Sequence, residues 1–231
     1  MLGLGLGIIK SNRPSGINLA SFAGIKAWYK FKTGITLDKG LVLGWEDSSG
    51  NTVQDMDLSN TGQIPYNSST GSLTFATAAN NDLSTGGDEL SLSNFTIFVV
   101  MDVVEAGARD EFVIGGAAGN DLIHLYPGSD PRAVRFVANS TAYNITLSTF
   151  VPTGKILIKL VRKGNGALDC VINETVTGSA ATNPANTFDF AKIADGSSDM
   201  DFYEAVIYDT DLSSDDQDKI TAHLLSKHEI S

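Results

Sequence analysis

Short apolar runs broken by clusters of Gly, Asn, Ser and Asp recur along this chain, which is the strand-turn-strand rhythm of an antiparallel β protein. Phe95-Thr96-Ile97-Phe98-Val99-Val100-Met101 is apolar on both faces and predicts a central strand covered on both sides. Ala133 to Ala138 alternates, placing Val134 and Phe136 on one face and Arg135 on the other. Ile156 to Val161 and Leu168 to Ile172 flank Arg162-Lys163-Gly164-Asn165-Gly166-Ala167, a hairpin signal because Gly and Asn accept positive φ readily. Phe202 to Tyr208 adds a strand rich in aromatic and β-branched residues. One helix closes the chain: Ser214-Asp215-Asp216-Gln217 reads as its capping box, the two aspartates suit its positive end, and Lys227 and His228 suit its negative end. Ile220 and Leu224 give that helix a narrow apolar stripe, enough to dock it on a sheet edge. The pattern predicts an all-β fold, a two-sheet antiparallel sandwich with one short C-terminal helix.

Residues 1–16 differ from the rest and read as a Gly/Leu arm ahead of a sandwich spanning 17–231, with no linker-like stretch between them. In an extended arm Leu2, Leu4, Leu6, Ile8 and Ile9 present an apolar row beside bare backbone, suited to adding a strand to a neighbouring subunit. At 231 residues, 42% apolar and 19% charged, the chain can bury a core without disulfides. A net charge of −11 repels phosphate backbones and anionic lipid, so neither nucleic acid nor membrane is an expected partner. The N-terminus lacks the basic start and continuous apolar run of a secretory signal. The lone Cys170 falls on the Leu168/Ile172 face of its strand and is expected to be a buried small hydrophobe.

Five stretches, in order, resemble the concanavalin A-like, laminin-G-like jelly rolls, particularly those of bacteriophage structural proteins. They are Gly24 to Tyr29, Trp45-Glu46-Asp47-Ser48-Ser49-Gly50-Asn51, Pro65-Tyr66 with Gly71 to Phe75, Phe95 to Val100, and Phe202 to Asp209 leading through Leu212-Ser213 into the helix. One departure is that Ala76-Thr77 follows Phe75, where such domains often place Asp-Gly. The resemblance implies a jelly-roll sandwich with the 47–51 segment as a loop whose Asp and Asn bond its own backbone. It further implies a virion structural protein, a capsid decoration or fibre-associated subunit that forms a homo-oligomer and contacts other virion proteins and host-surface glycans. Such a sandwich also hosts lectins and hydrolases, so a carbohydrate-binding module is the alternative reading and a laminarinase-type glycoside hydrolase the third.

The hydrolase reading rests on Asp199-Met200-Asp201-Phe202-Tyr203-Glu204, which resembles the Glu-x-Asp-x-x-Glu signature of the laminarinase type. Retaining hydrolysis needs two carboxyls about 5–5.5 Å apart, and Asp199 is one methylene short for the nucleophile's place. Glu204 is expected to face solvent, and no catalytic residue is assigned. The histidines offer no alternative: His124 lies in a strand pattern, and His223 and His228 are five apart on the helix, off one face. No cofactor is expected, with calcium as the candidate ion at Asp47, Asn51, Asp55 and Asp57, joined by Asp195 and Asp199 from elsewhere. Tyr66, Tyr126 and Tyr143 are the candidate glycan contacts.

Overall fold

In this computed structural model the described residues are 16–51, 54–59, 62–76, 81–103, 111–126, 133–194 and 199–231, with Val103 and Glu111 described in backbone only. Among them the β-branched and aromatic runs form nineteen strands. In chain order these are β1 (Ile25–Tyr29), β2 (Ile35–Asp38), β3 (Leu41–Trp45), β4 (Met56–Leu58), β5 (Tyr66–Asn67), β6 (Ser72–Phe75), β7 (Leu83–Ser84), β8 (Leu90–Leu92) and β9 (Phe95–Val103). There follow β10 (Glu111–Gly115), β11 (Leu122–Tyr126), β12 (Ala133–Ala138), β13 (Thr141–Thr146), β14 (Gly154–Arg162), β15 (Ala167–Ile172), β16 (Val176–Ala181), β17 (Phe188–Phe190), β18 (Lys192–Ile193) and β19 (Met200–Tyr208). A helix, α1 (Ser214–His228), ends the chain. Among the described residues no helix is long and apolar enough to cross a membrane.

Two large antiparallel sheets stack as a sandwich. The first runs β16-β15-β14-β9-β19-β6-β5, with β1 also paired to β19, and the second runs β13-β12-β11-β10-β18-β7-β4-β3-β2. Strand β19 divides one edge between two partners, β6 along Met200–Phe202 and β1 along Ala205–Tyr208. Between the sheets lie Phe95, Ile97, Val99 and Met101 of β9, facing Ile123, Leu125, Val134 and Phe136 of the second sheet. Phe98 and Val100 point the other way, into a second apolar layer. This two-sided coverage of β9 is what its unbroken apolar run predicts. Cys170 is fully buried beside Leu168 and Ile172, and burial pushes its thiol up to about 12, which keeps it inert.

The second layer is where the structure departs from expectation. Helix α1 lies on the outer face of the first sheet and not on an edge, because Ile220 and Leu224 pack among Phe98, Val100, Leu157, Val206 and Tyr208. Strands β9, β14 and β19 are apolar on both faces, so their outward side chains need cover, and burying Ile220 and Leu224 contributes about 1.5–3 kcal/mol each. The helix also starts one residue early. Ser213 is the cap, accepting from the Asp216 N–H, while the Gln217 amide donates back to the Leu212 carbonyl.

The 162–167 hairpin forms as the sequence suggests, closed by Lys163 and Ala167, and it carries a buried cation at its root. The Arg162 guanidinium donates to the carbonyls of Ser93 and Asn183, both at 2.7 Å, and to the Thr182 hydroxyl at 3.0 Å, tying three segments together. Gly166 sits at φ 84° directly against the Thr182 carbonyl, where a Cβ has no room. Gly166→Ala is therefore expected to destabilise the domain by about 1–3 kcal/mol, read as a shift in the urea midpoint without a change in slope.

Candidate functional site

The polar centre of the molecule is built on a defect in β19. Register slips between Phe202, paired with Met101, and Glu204, paired with Val100, leaving Tyr203 as an extra residue. Such a bulge re-aims side chains. Phe202 and Ala205 both face the inter-sheet core, whereas Tyr203 joins the layer beneath α1. Glu204 likewise points under the helix and is 1% exposed, which corrects the expectation that it faces solvent.

Four hydrogen bonds fill its carboxylate. Oε1 accepts from Trp28 Nε1 at 2.7 Å and Lys227 Nζ at 2.8 Å, and Oε2 accepts from Lys227 Nζ at 2.7 Å and His228 Nε2 at 2.6 Å. A carboxylate offers about four lone-pair sites, so the group is saturated. Burial pushes the Glu204 carboxyl up, and the bonds from His228, Lys227 and Trp28 outweigh it, holding it below its ordinary value. Burial holds His228 below its ordinary value as well, against the pull of Glu204, and its Nε2–H donates to the carboxylate. Lys227 and His228 thus do more than oppose the helix dipole.

Beside this cluster lies an open cleft of about 410 Å³ at the C-terminal end of α1. The His228 and Phe31 rings meet in an edge-to-face arrangement with centroids 4.7 Å apart, and the Tyr203 ring lies 6.3 Å from Phe31 and 6.1 Å from His228 at tilted and edge-on angles. Three ammonium groups surround the aromatic floor: Lys32 5.1 Å and Lys227 5.7 Å from the Phe31 ring centre, and Lys155 4.3 Å from that of Tyr203. Glu229, in left-handed conformation at the helix cap, stands at the rim.

The other candidates do not gather there. Asp201 accepts from the Thr74 hydroxyl at 2.5 Å and neighbours Asp102 across β9, while Asp199 precedes β19 and Asp195 lies outside the described residues. The Asp47 carboxylate accepts from the N–H groups of Trp28 and Ser49 and from the Ser49 hydroxyl, which locks the 47–51 loop onto β1. Burial raises its pKa against those bonds. Asp55 accepts from the Asp47 N–H, Asn51 donates to the Lys26 carbonyl, and Asp57 is exposed on β4. Among the described residues no three His, Cys, Asp or Glu side chains converge as a metal set. Tyr66 packs against the core at the far edge of the first sheet. Tyr143 also faces inward, its hydroxyl accepting from the Asn183 N–H, whereas Tyr126 sits beside His124 on the outer face of the second sheet. The three tyrosines therefore share no surface. The apolar row of the arm, Leu2 to Ile9, and the turn after Ala76 lie outside the described residues.

No protein-family model matches the chain, and no curated protein matches it. Solved structures do. A Trypanosoma rangeli sialidase in complex with sialic acid superposes with a TM-score of 0.57 at 13% identity, over 90% of this chain and 34% of the sialidase. A structure of botulinum neurotoxin type C, whose cell entry depends on two ganglioside molecules, gives 0.58 at 12% identity, over 87% of this chain and 51% of that one. Domain 4 of the extracellular arabinanase AbnA of Geobacillus stearothermophilus, in complex with arabinotriose, gives 0.55 at 16% identity, over 86% and 97%. The chain thus spans about a third of the sialidase and half of the toxin chain. At these identities the likeness is one of fold, the β-sandwich.

Removing Glu204 leaves a half-buried lysine and a buried histidine and indole without their acceptor, so Glu204→Ala is expected to cost about 3–5 kcal/mol. The folded-state pKa values of Glu204 and His228 both lie below their ordinary 4.5 and 6.5, so the unfolded chain binds more protons in acid. Stability is accordingly expected to fall as pH drops below 6.5, and further below 4.5, in denaturation curves across that range. Equal stability in acid and at neutral pH would contradict this arrangement.

Proposed function

We propose that the chain is a non-catalytic, cofactor-independent binding sandwich whose ligand is a glycan, displayed on a bacteriophage particle as a decoration or fibre-associated subunit. One observation carries the non-catalytic part. Glu204 falls where the laminarinase-type signature places an acid, and there it is roofed by α1 with every lone pair occupied. A general acid needs a proton to give and a path to the glycosidic oxygen, and this group has neither.

The glycan part is supported by the company of the fold and by the cleft. Sugar ligands are named for the sialidase and the arabinanase domain, and gangliosides for the neurotoxin. A concave site of about 410 Å³, with an aromatic floor and polar groups above it, is of a size and lining that accept a sugar ring. The particle context is supported by the resemblance of the five stretches to phage jelly rolls and by the alternating leucines of the arm.

Binding to an array of neutral and acidic oligosaccharides is expected, unchanged by chelator, with no reducing sugar released from β-glucans or arabinans. Hydrolysis abolished by Glu204→Gln would overturn the non-catalytic reading, and silence across the array the glycan reading. For the particle context, the protein is expected to copurify with virions at a fixed copy number; its absence from purified particles would refute that placement.

A further inference from the structure

Three of the sixteen Lys and Arg residues of a chain with net charge −11 converge on the cleft, from three separate elements. Lys227 is neutralised by Glu204, whereas among the described residues neither Lys32 nor Lys155 makes a direct salt bridge, Lys155 feeling the Asp102 carboxylate only at longer range. Lys32 donates to the Ser69 carbonyl at 3.1 Å, and Lys155 to the His228 carbonyl at 3.4 Å. Each ammonium has three donors, so two remain on each for a further acceptor. The placement of Lys32 is held against local preference. Its backbone adopts φ 57°, in the left-handed region that a non-glycine residue occupies at a penalty. Gly71, at φ 79°, allows the turn after β5 to close over Lys32 and Phe31, and any side chain there would drive into both.

We infer that this cleft binds a carboxylated sugar, with Lys32 and Lys155 holding the carboxylate and Phe31 packing against the apolar face of the ring. The inference rests on the glycan reading and names the ligand class and site within it. Glu229 sets the ligand's charge. Its carboxylate at the rim repels a polyanion but accepts hydrogen bonds from hydroxyls, which suits one carboxylate on a polyhydroxylated ring better than phosphate or nucleic acid. Sialic and uronic acids share this chemistry.

Calorimetric titration of the full chain separates these outcomes, using the methyl glycosides of N-acetylneuraminic acid and glucuronic acid, their methyl esters, methyl glucoside and inorganic phosphate. Binding of either free acid is expected, and the tighter of the two identifies the source. The matching ester should bind about tenfold more weakly, since a charge-assisted hydrogen bond is lost. Lys32→Gln and Lys155→Gln should each weaken the acid about tenfold while the domain stays folded, read as a retained cooperative thermal transition. Equal binding of acid and ester, phosphate binding as tightly as the acid, or lysine variants with wild-type affinity would overturn the inference. Each of those leaves glycan binding standing, whereas failure of every sugar, charged and neutral, would remove the underlying reading as well.

Discussion

The buried carboxylate of Glu204 joins the parts of this molecule that are farthest apart in sequence. Trp28 on β1, Glu204 on β19 and Lys227 with His228 at the end of α1 meet through four hydrogen bonds no longer than 2.8 Å. An ion taken out of water is stabilised only when each lone pair finds a donor, so the group tolerates little displacement of any partner. The packing of Ile220 and Leu224 of α1 against β9, β14 and β19 is apolar and non-directional, and alone it would leave the helix free to slide or rotate. The carboxylate removes that freedom. It thereby fixes the last turn of the helix, the Phe31 ring beneath His228, and the cleft between them.

The same constraint explains the bulge. Strict alternation through β19 would send residue 204 into the inter-sheet core beside Phe202, where a carboxylate meets no donor. One additional residue in the strand moves Glu204 to the helix side and shifts the phase of everything after it. Ala205 and Ile207 then complete the inter-sheet core, while Val206 and Tyr208 complete the layer under α1. A local irregularity thus reconciles two apolar faces with one buried charge.

Local periodicity made much of the fold legible. The two-faced run of β9, the alternation of Val134 and Phe136, the burial of Cys170 and the 162–167 hairpin each follow from residues within a few positions of one another. The five stretches that carry the family resemblance prove to be neighbours: β1, β5, β6, β9 and β19 lie in one sheet, and Asp47 bonds the loop after β3 to Trp28. They mark the fold because they are its contiguous frame, and for that reason they say little about ligands. The burial of Glu204 is not legible locally, because its donors lie 23, 24 and 176 positions away and a bulge breaks the alternation. Two signals were present, an acid inside an apolar strand and a Lys-His pair closing the helix that follows. The cleft left no comparable trace, since Phe31, Lys32, Lys155 and Lys227 meet only through tertiary packing. The same packing sets Tyr66 in the first sheet apart from Tyr126 and Tyr143 in the second.

The charge balance of the cleft follows from the locking of the helix. Each oxygen of Glu204 bonds Lys227, so that lysine contributes little positive potential at the surface. The field there comes from Lys32, whose partner is a carbonyl dipole of no net charge, and from Lys155, which bonds a carbonyl and also feels the Asp102 carboxylate beside it on β9. Opposing it are Glu229 at the rim and the bulk charge of −11, which is spread over the molecule and screened beyond about 8 Å at physiological ionic strength. Within that distance the two lysines act on a ligand, and beyond it screening leaves an approaching anion no net attraction. Long-range steering therefore cannot raise the encounter rate of an acidic ligand here. Selectivity must come from short-range contacts, the two ammonium groups and the ring of Phe31 acting on a group already seated in the cleft.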